Sequence, residues 1–195
     1  QPQDLTDVGG YGPAAALAQR KDLKSTLQNS LDRGYEVTLS EEDINGYLSR
    51  TLAAKQGGLL GSNVSLDGAW VRLEEGRVEV VLERRIFGHP LTISTYIQIT
   101  QTVAPTGTPS TDGVLHGGPY IKDLPLNRGG RFGQLVVPQG FLLLVLPSFQ
   151  KLADLYKTEV ELALGRMARI RIQKDKLILD PREPGDLMTA PGGTF

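Results

Sequence analysis

Acid–base chemistry near neutral pH rests, in this chain, on two histidines, His89 and His116. His89 stands between Gly88 and Pro90, a turn context with no partner nearby in sequence. His116 opens the run His116-Gly117-Gly118-Pro119, whose glycine backbone could face N–H groups toward a developing negative charge, as an oxyanion loop does. No G-x-S-x-G elbow supplies a nucleophile for such a loop, so it reads as a plain loop. Acidic pairs occur at Glu41 with Glu42, Glu74 with Glu75, and Glu159 with Glu161. Glycoside chemistry needs two carboxyls facing each other across a cleft at about 5–10 Å, which sequence neighbours do not provide. These acids read as solvated or helix-terminal charge. Gly129-Gly130-Arg131-Phe132-Gly133 lacks the Lys-Ser/Thr of a phosphate loop and reads as a turn, and Asn63-Val64-Ser65 matches a short glycosylation triplet.

Composition removes further chemistries. None of the 195 residues is Cys, which excludes disulfides, thiolate nucleophiles and Cys-based zinc sites. With 21 Lys+Arg against 22 Asp+Glu, the formal charge of -1 gives no surplus for capturing nucleic acid. No catalytic residue, metal ligand or cofactor is assigned. Basic residues gather at Arg72, Arg77 and Arg84-Arg85, and at Arg166, Arg169, Arg171, Lys174 and Lys176. They read as a solvated sheet face, with lipid headgroups or an acidic partner as the functional alternative. The longest apolar run, Phe141 to Leu146, is far below the roughly 20 residues of a membrane span. A start at Gln1 fits removal of an upstream signal peptide or anchoring helix, and equally a truncated cytoplasmic chain.

Residues 1–12 read as an extended lead-in. Pro13 is placed to open a helix running to Asp32, with Leu17, Leu23, Leu27 and Leu31 on one face and Gly34 as its stop. Ser40 is an N-cap candidate for a second helix marked by Ile44, Tyr47, Leu48 and Leu52. The period then changes to two. Val64 to Leu73, Val78 to Ile86 and Leu91 to Val103 predict an antiparallel meander, with a bulge near Gly68 to Trp70, a three-residue loop at Glu74-Glu75-Gly76 and a two-residue loop at Gly88-His89. Residues 105–139, rich in Gly and Pro, predict a loop-rich excursion with an irregular edge strand in Val114 to Leu126, then a short strand from Phe132 to Val137. A long helix is expected over 139–164, kinked or split in two by Pro147, and a closing hairpin over Ala168 to Asp180. Residues 181–195, with three Pro, read as a flexible tail beyond a single domain over 13–180.

These elements give an α+β fold: a curved antiparallel β-sheet packed on a long C-terminal helix, with two N-terminal helices. Phe141 to Leu146 is apolar on every side of a helix, so the face turned from the sheet also needs cover. Ordinary burial or a dimer partner meets that need. The functional alternative is an apolar groove for a lipid-like chain, with Leu142, Val145, Leu146 and Phe149 on one wall and Ile97, Ile99, Leu135 and Val137 on the other.

The stretches Leu39-Ser40-Glu41-Glu42-Asp43-Ile44-Asn45-Gly46-Tyr47-Leu48, Phe132-Gly133-Gln134-Leu135-Val136-Val137-Pro138 and Ala168-Arg169-Ile170-Arg171-Ile172 resemble bacterial extracytoplasmic domains loosely similar to tubular lipid-binding (TULIP-like) modules. The resemblance covers about residues 36–180. It implies a strongly curved sheet around a long helix, a periplasmic or membrane-anchored location, and binding of apolar ligands or envelope components without catalysis. The rival expectations are an envelope scaffold or assembly domain that docks a partner protein through its apolar helix face or an edge strand, and a hydrolase built on an acidic pair or on His116.

Overall fold

The computed structural model describes residues 1–12, 21–57, 65–103, 109–115, 128–138 and 144–183. Helix α1 (Leu23–Arg33) starts where Asp22 takes an extended backbone and its carboxylate accepts the Ser25 N–H; it stops at Gly34, whose left-handed φ of 66° an L side chain would resist. The expected helix from Pro13 therefore does not run unbroken to Asp32, because a cap at Asp22 restarts it; residues 13–20 lie outside the described residues. Strand β1 (Val37–Ser40) leads into α2 (Glu41–Gly57). Here the Ser40 hydroxyl accepts the Asp43 N–H while the Asp43 carboxylate accepts the Ser40 N–H, so the helix start is closed reciprocally.

Two antiparallel sheets follow. The larger holds β2 (Gly68–Glu74), β3 (Arg77–Ile86), β4 (His89–Val103), β6 (Arg128–Phe132) and β7 (Leu135–Pro138) in that order, with β5 (Pro109–Leu115) also on β4. Fifteen residues long, β4 pairs β6 through Ile93–Thr95 and β5 through Ile97–Val103. The smaller sheet, ordered β1-β9-β8, joins β8 (Arg169–Gln173) and β9 (Lys176–Asp180) to β1. The sheets meet where the Asp175 N–H donates to the Leu73 carbonyl and the Gly76 N–H to that of Ile172.

Several expectations are corrected. No bulge interrupts β2, whose pairing with β3 runs without a shift from Gly68↔Glu83 to Glu74↔Arg77. Its apolar phase changes because both faces are covered: Ala69, Val71 and Leu73 pack on the main core, while Trp70 packs on the far side with Val81, Leu5 and Val8. Gly68 is there for close approach, since a Cβ would lie 2.1 Å from the Trp70 ring. The lead-in is a packed strap: Leu5 and Val8 are buried, the Gln3 N–H donates to Thr92 Oγ1, and the Gln3 amide reaches buried Glu79. Phe132 to Val137 is two strands folded back at Gly133 (φ 59°). The β2–β3 loop is Glu75-Gly76, and the β3–β4 turn is Phe87-Gly88, with Ile86 paired to His89.

The single long helix over 139–164 is also corrected. Helix α3 (Leu146–Leu155) carries Pro147 in its first turn, where a missing N–H costs nothing, so proline opens this helix instead of kinking it. Leu144 and Val145 form a turn, and residues 139–143 lie outside the described residues. A break at Tyr156 separates α3 from α4 (Lys157–Val160), which runs into a π-turn, Glu161–Gly165. In the tail, Arg182 pairs with Asp180, and residues 184–195 lie outside the described residues.

Asn45 is fully buried, donates to the carbonyls of Gly9 and Val71, and accepts the Val71 N–H. Asn45→Ala strands those backbone groups and is expected to lower stability by about 2–4 kcal/mol, read from urea denaturation.

Candidate functional site

Register decides which side chains share a face. Opposite residues in antiparallel pairs point to the same side, so Val71, Leu73, Val78, Val80, Thr95, Ile97 and Ile99 form one surface of the larger sheet. Above it stand α1 through Leu23 and Leu27, α2 through Ile44, Tyr47 and Leu48, and α3 through Phe149, Leu152 and Ala153. These walls do not close on one another. They bound a cavity of about 460 Å³, lined almost wholly by carbon. Along α3 the residues Leu146, Gln150 and Ala153 fall on one stripe, line the cavity and are exposed, so its mouth follows that flank of the helix.

One carboxylate borders the cavity. Glu159, 7% exposed, accepts the Tyr47 hydroxyl (2.7 Å) and the Lys55 ammonium (2.9 Å) on Oε1. Burial alone raises its pKa, but the donations from Tyr47 and Lys55 outweigh that and hold the carboxyl below its ordinary value. Burial and the neighbouring carboxylate push the Tyr47 phenol well above its usual range, and burial pushes Tyr156 up to about 12. Tyr156 in turn shares a hydrogen bond with Thr51 (2.8 Å), and Lys55 lies 4.8 Å from the centre of its ring. The cavity thus presents an anionic carboxylate held by the neutral Tyr47 phenol and one cation, with the Tyr156 ring beside that cation.

Of the residues named from the sequence, Ile97, Ile99, Leu146 and Phe149 line the cavity. Val145 caps α3 and packs on the core without lining it. Val137 is buried without lining the cavity, and Leu135 is 68% exposed on the hairpin that pairs with β4 through Ile93–Thr95. Leu142 and His116 lie outside the described residues. His89 is exposed at the start of β4. The acidic pairs do not form a dyad: Glu41 accepts the N–H groups of Gly9 and Leu73, Glu74 pairs with Arg77, and Glu159 pairs with Lys55. Among the described residues no group of three or more His, Asp or Glu could hold a metal ion. The Tyr47–Glu159–Lys55 cluster had no signature in sequence, because its members come from positions 47, 55 and 159 on elements that meet only in the fold.

Tyr47→Phe removes a donor from Glu159 and is expected to lower stability at neutral pH by about 1–2 kcal/mol. A carboxyl with a lowered folded pKa stabilises above its unfolded value, near 4.3, and loses that contribution as pH falls through the folded value. Denaturation curves between about pH 3 and pH 7 should therefore show the Tyr47→Phe deficit shrinking as acid protonates Glu159. No family model matches this chain, and no curated protein matches it.

Proposed function

We propose that this chain is a non-enzymatic, extracytoplasmic module that holds a lipid-like or other apolar ligand between its C-terminal helix and the larger sheet. The observation that carries this reading is the carbon-lined cavity of about 460 Å³ with its mouth along α3. Its size falls in the range of about 300–1,000 Å³ typical of small-molecule sites, and its few polar groups suit a ligand held by burial. The TULIP-like resemblance supports the same reading and is the basis for the extracytoplasmic location. Among the described residues, no helix is long and apolar enough to cross a membrane.

The polar cluster narrows the ligand's head group. Glu159 is already matched by Lys55, so the border offers an added charge no free partner, and a neutral head is favoured over a fatty acid. Organic extracts of the purified protein, analysed by mass spectrometry, should contain such a molecule. In the ligand-stripped protein the neutral probe N-phenyl-1-naphthylamine should brighten on binding. Val80→Phe, which projects a larger side chain into the cavity, should weaken that uptake by at least about tenfold while leaving the fold intact. Uptake unchanged in Val80→Phe, or none in the parent protein, would refute the reading.

A further inference from the structure

We propose that the end of the molecule where the β3–β4 hairpin, the β6–β7 hairpin and the start of α3 converge is a docking surface for an anionic lipid bilayer. The convergence is fixed by hydrogen bonds. The Arg84 guanidinium on β3 donates to Ser148 Oγ in the first turn of α3 (3.1 Å), and the Gly133 N–H between β6 and β7 donates to the Thr92 carbonyl on β4 (2.7 Å).

Large apolar side chains crowd this end without cover. Phe87 is 97% exposed, Leu144 78% and Leu135 68%, and Ile86, Phe132 and Leu146 are exposed with them. Register places Ile86, Phe132 and Leu135 on the same sheet face that lines the cavity farther along. Phe87 also occupies a left-handed backbone position (φ 51°), unfavourable for a bulky residue and ordinarily given to Asn, Asp or Gly in such a turn. Among the described residues nothing packs on it to offset that cost, and strain retained at an exposed residue points to a use outside the folded chain.

Charge selects the partner. The segments 84–91, 130–137 and 144–153, flanked by Glu83 and Asp154, contain Arg84, Arg85, Arg131 and Lys151 and no Asp or Glu, in a chain whose net charge is -1. Arg84 turns to buried Ser148 and Arg131 to buried Glu79, while Arg85 is exposed beside the tip. Apolar side chains that protrude beside cations match the interface of an anionic bilayer, where rings enter the headgroup layer and cations meet phosphate. Leu146 belongs both to this surface and to the cavity rim, so docking brings the mouth against lipid; that clause alone rests on the proposed ligand site.

The test is flotation of the whole chain with vesicles of phosphatidylcholine alone and of phosphatidylcholine with about 30% phosphatidylglycerol. The parent protein should float with the anionic vesicles and much less with the neutral ones. Phe87→Asn creates Asn-Gly, the preferred pair for this turn, so it should fold at least as stably while partitioning at least about tenfold more weakly. Arg85→Glu should lose the preference for anionic lipid. The cavity variant Val80→Phe should float as the parent does, and probe uptake measured without vesicles should be unchanged in Phe87→Asn, so the two proposals fail separately. Absence of flotation, or equal flotation of parent, Phe87→Asn and Arg85→Glu, overturns the inference. So does light scattering that shows a dimer dissolved by Phe87→Asn without vesicle binding, since the surface would then cover a second copy.

Discussion

Strand β2 is an edge of the larger sheet, and of the backbone groups it turns outward, both of Val71 and the N–H of Leu73 are met by side chains of α2 instead of by another strand. Asn45 exchanges hydrogen bonds with both the N–H and the carbonyl of Val71, and Glu41 accepts the N–H of Leu73. Both residues also hold Gly9, so the N-terminal strap, the helix and the strand share one polar clasp. Burial raises the Glu41 pKa, and the two N–H donors only partly offset it. The geometry of α2 follows from this clasp. Its polar stripe is fixed to β2, so the adjoining stripe of Ile44, Tyr47 and Leu48 faces the space over the sheet. Directional hydrogen bonds, unlike apolar contacts, set a separation that packing alone would tend to collapse.

The other face of the sheet is sealed by a different device. Glu79, fully buried, accepts from Ser94, Gln3 and Arg72, and Arg131 lies 3.7 Å away. A buried carboxylate is tolerated only when donors surround it, and removing one partner of such a set typically costs about 3–5 kcal/mol. The donors arrive from β2, β4, β6 and the N-terminal strap. Sealing that face with polar groups and the strap leaves the opposite face, with its valines and isoleucines, as the one surface over which an apolar space opens.

That space, its rim and the exposed apolar end form a continuous series. Core residues such as Leu82 and Ile93 are fully enclosed, the cavity begins where α3 stands off the sheet, and the same sheet face ends in Ile86, Phe132 and Leu135 in solvent. Folding alone gives no reason for the last of these, since each exposed side chain forgoes about 1.5–3 kcal/mol of burial.

The α+β character, the antiparallel meander, the closing hairpin and the start of α2 were legible in the sequence. Each depends on residues close together: alternation along Leu91 to Ile99, Ser40 three residues before Asp43, and a turn between two apolar runs near Lys174. Local sequence also placed Ile97, Ile99, Leu146 and Phe149 among the side chains that came to border the cavity. It left Pro147 open between a kink and a split, because a proline's role depends on where the helix begins, and here the chain before it is a turn. It missed the strap, since Leu5 and Val8 are too few to show a period, and it read a bulge in β2 where two covered faces had merely blurred the alternation. Tertiary structure alone decided the cavity, the Tyr47–Glu159–Lys55 cluster and the meeting of three distant segments at the apolar end. Pattern in a sequence reports what one element buries; a void or a composite surface exists only in the relative placement of several, and that placement is set by hydrogen bonds between residues tens of positions apart.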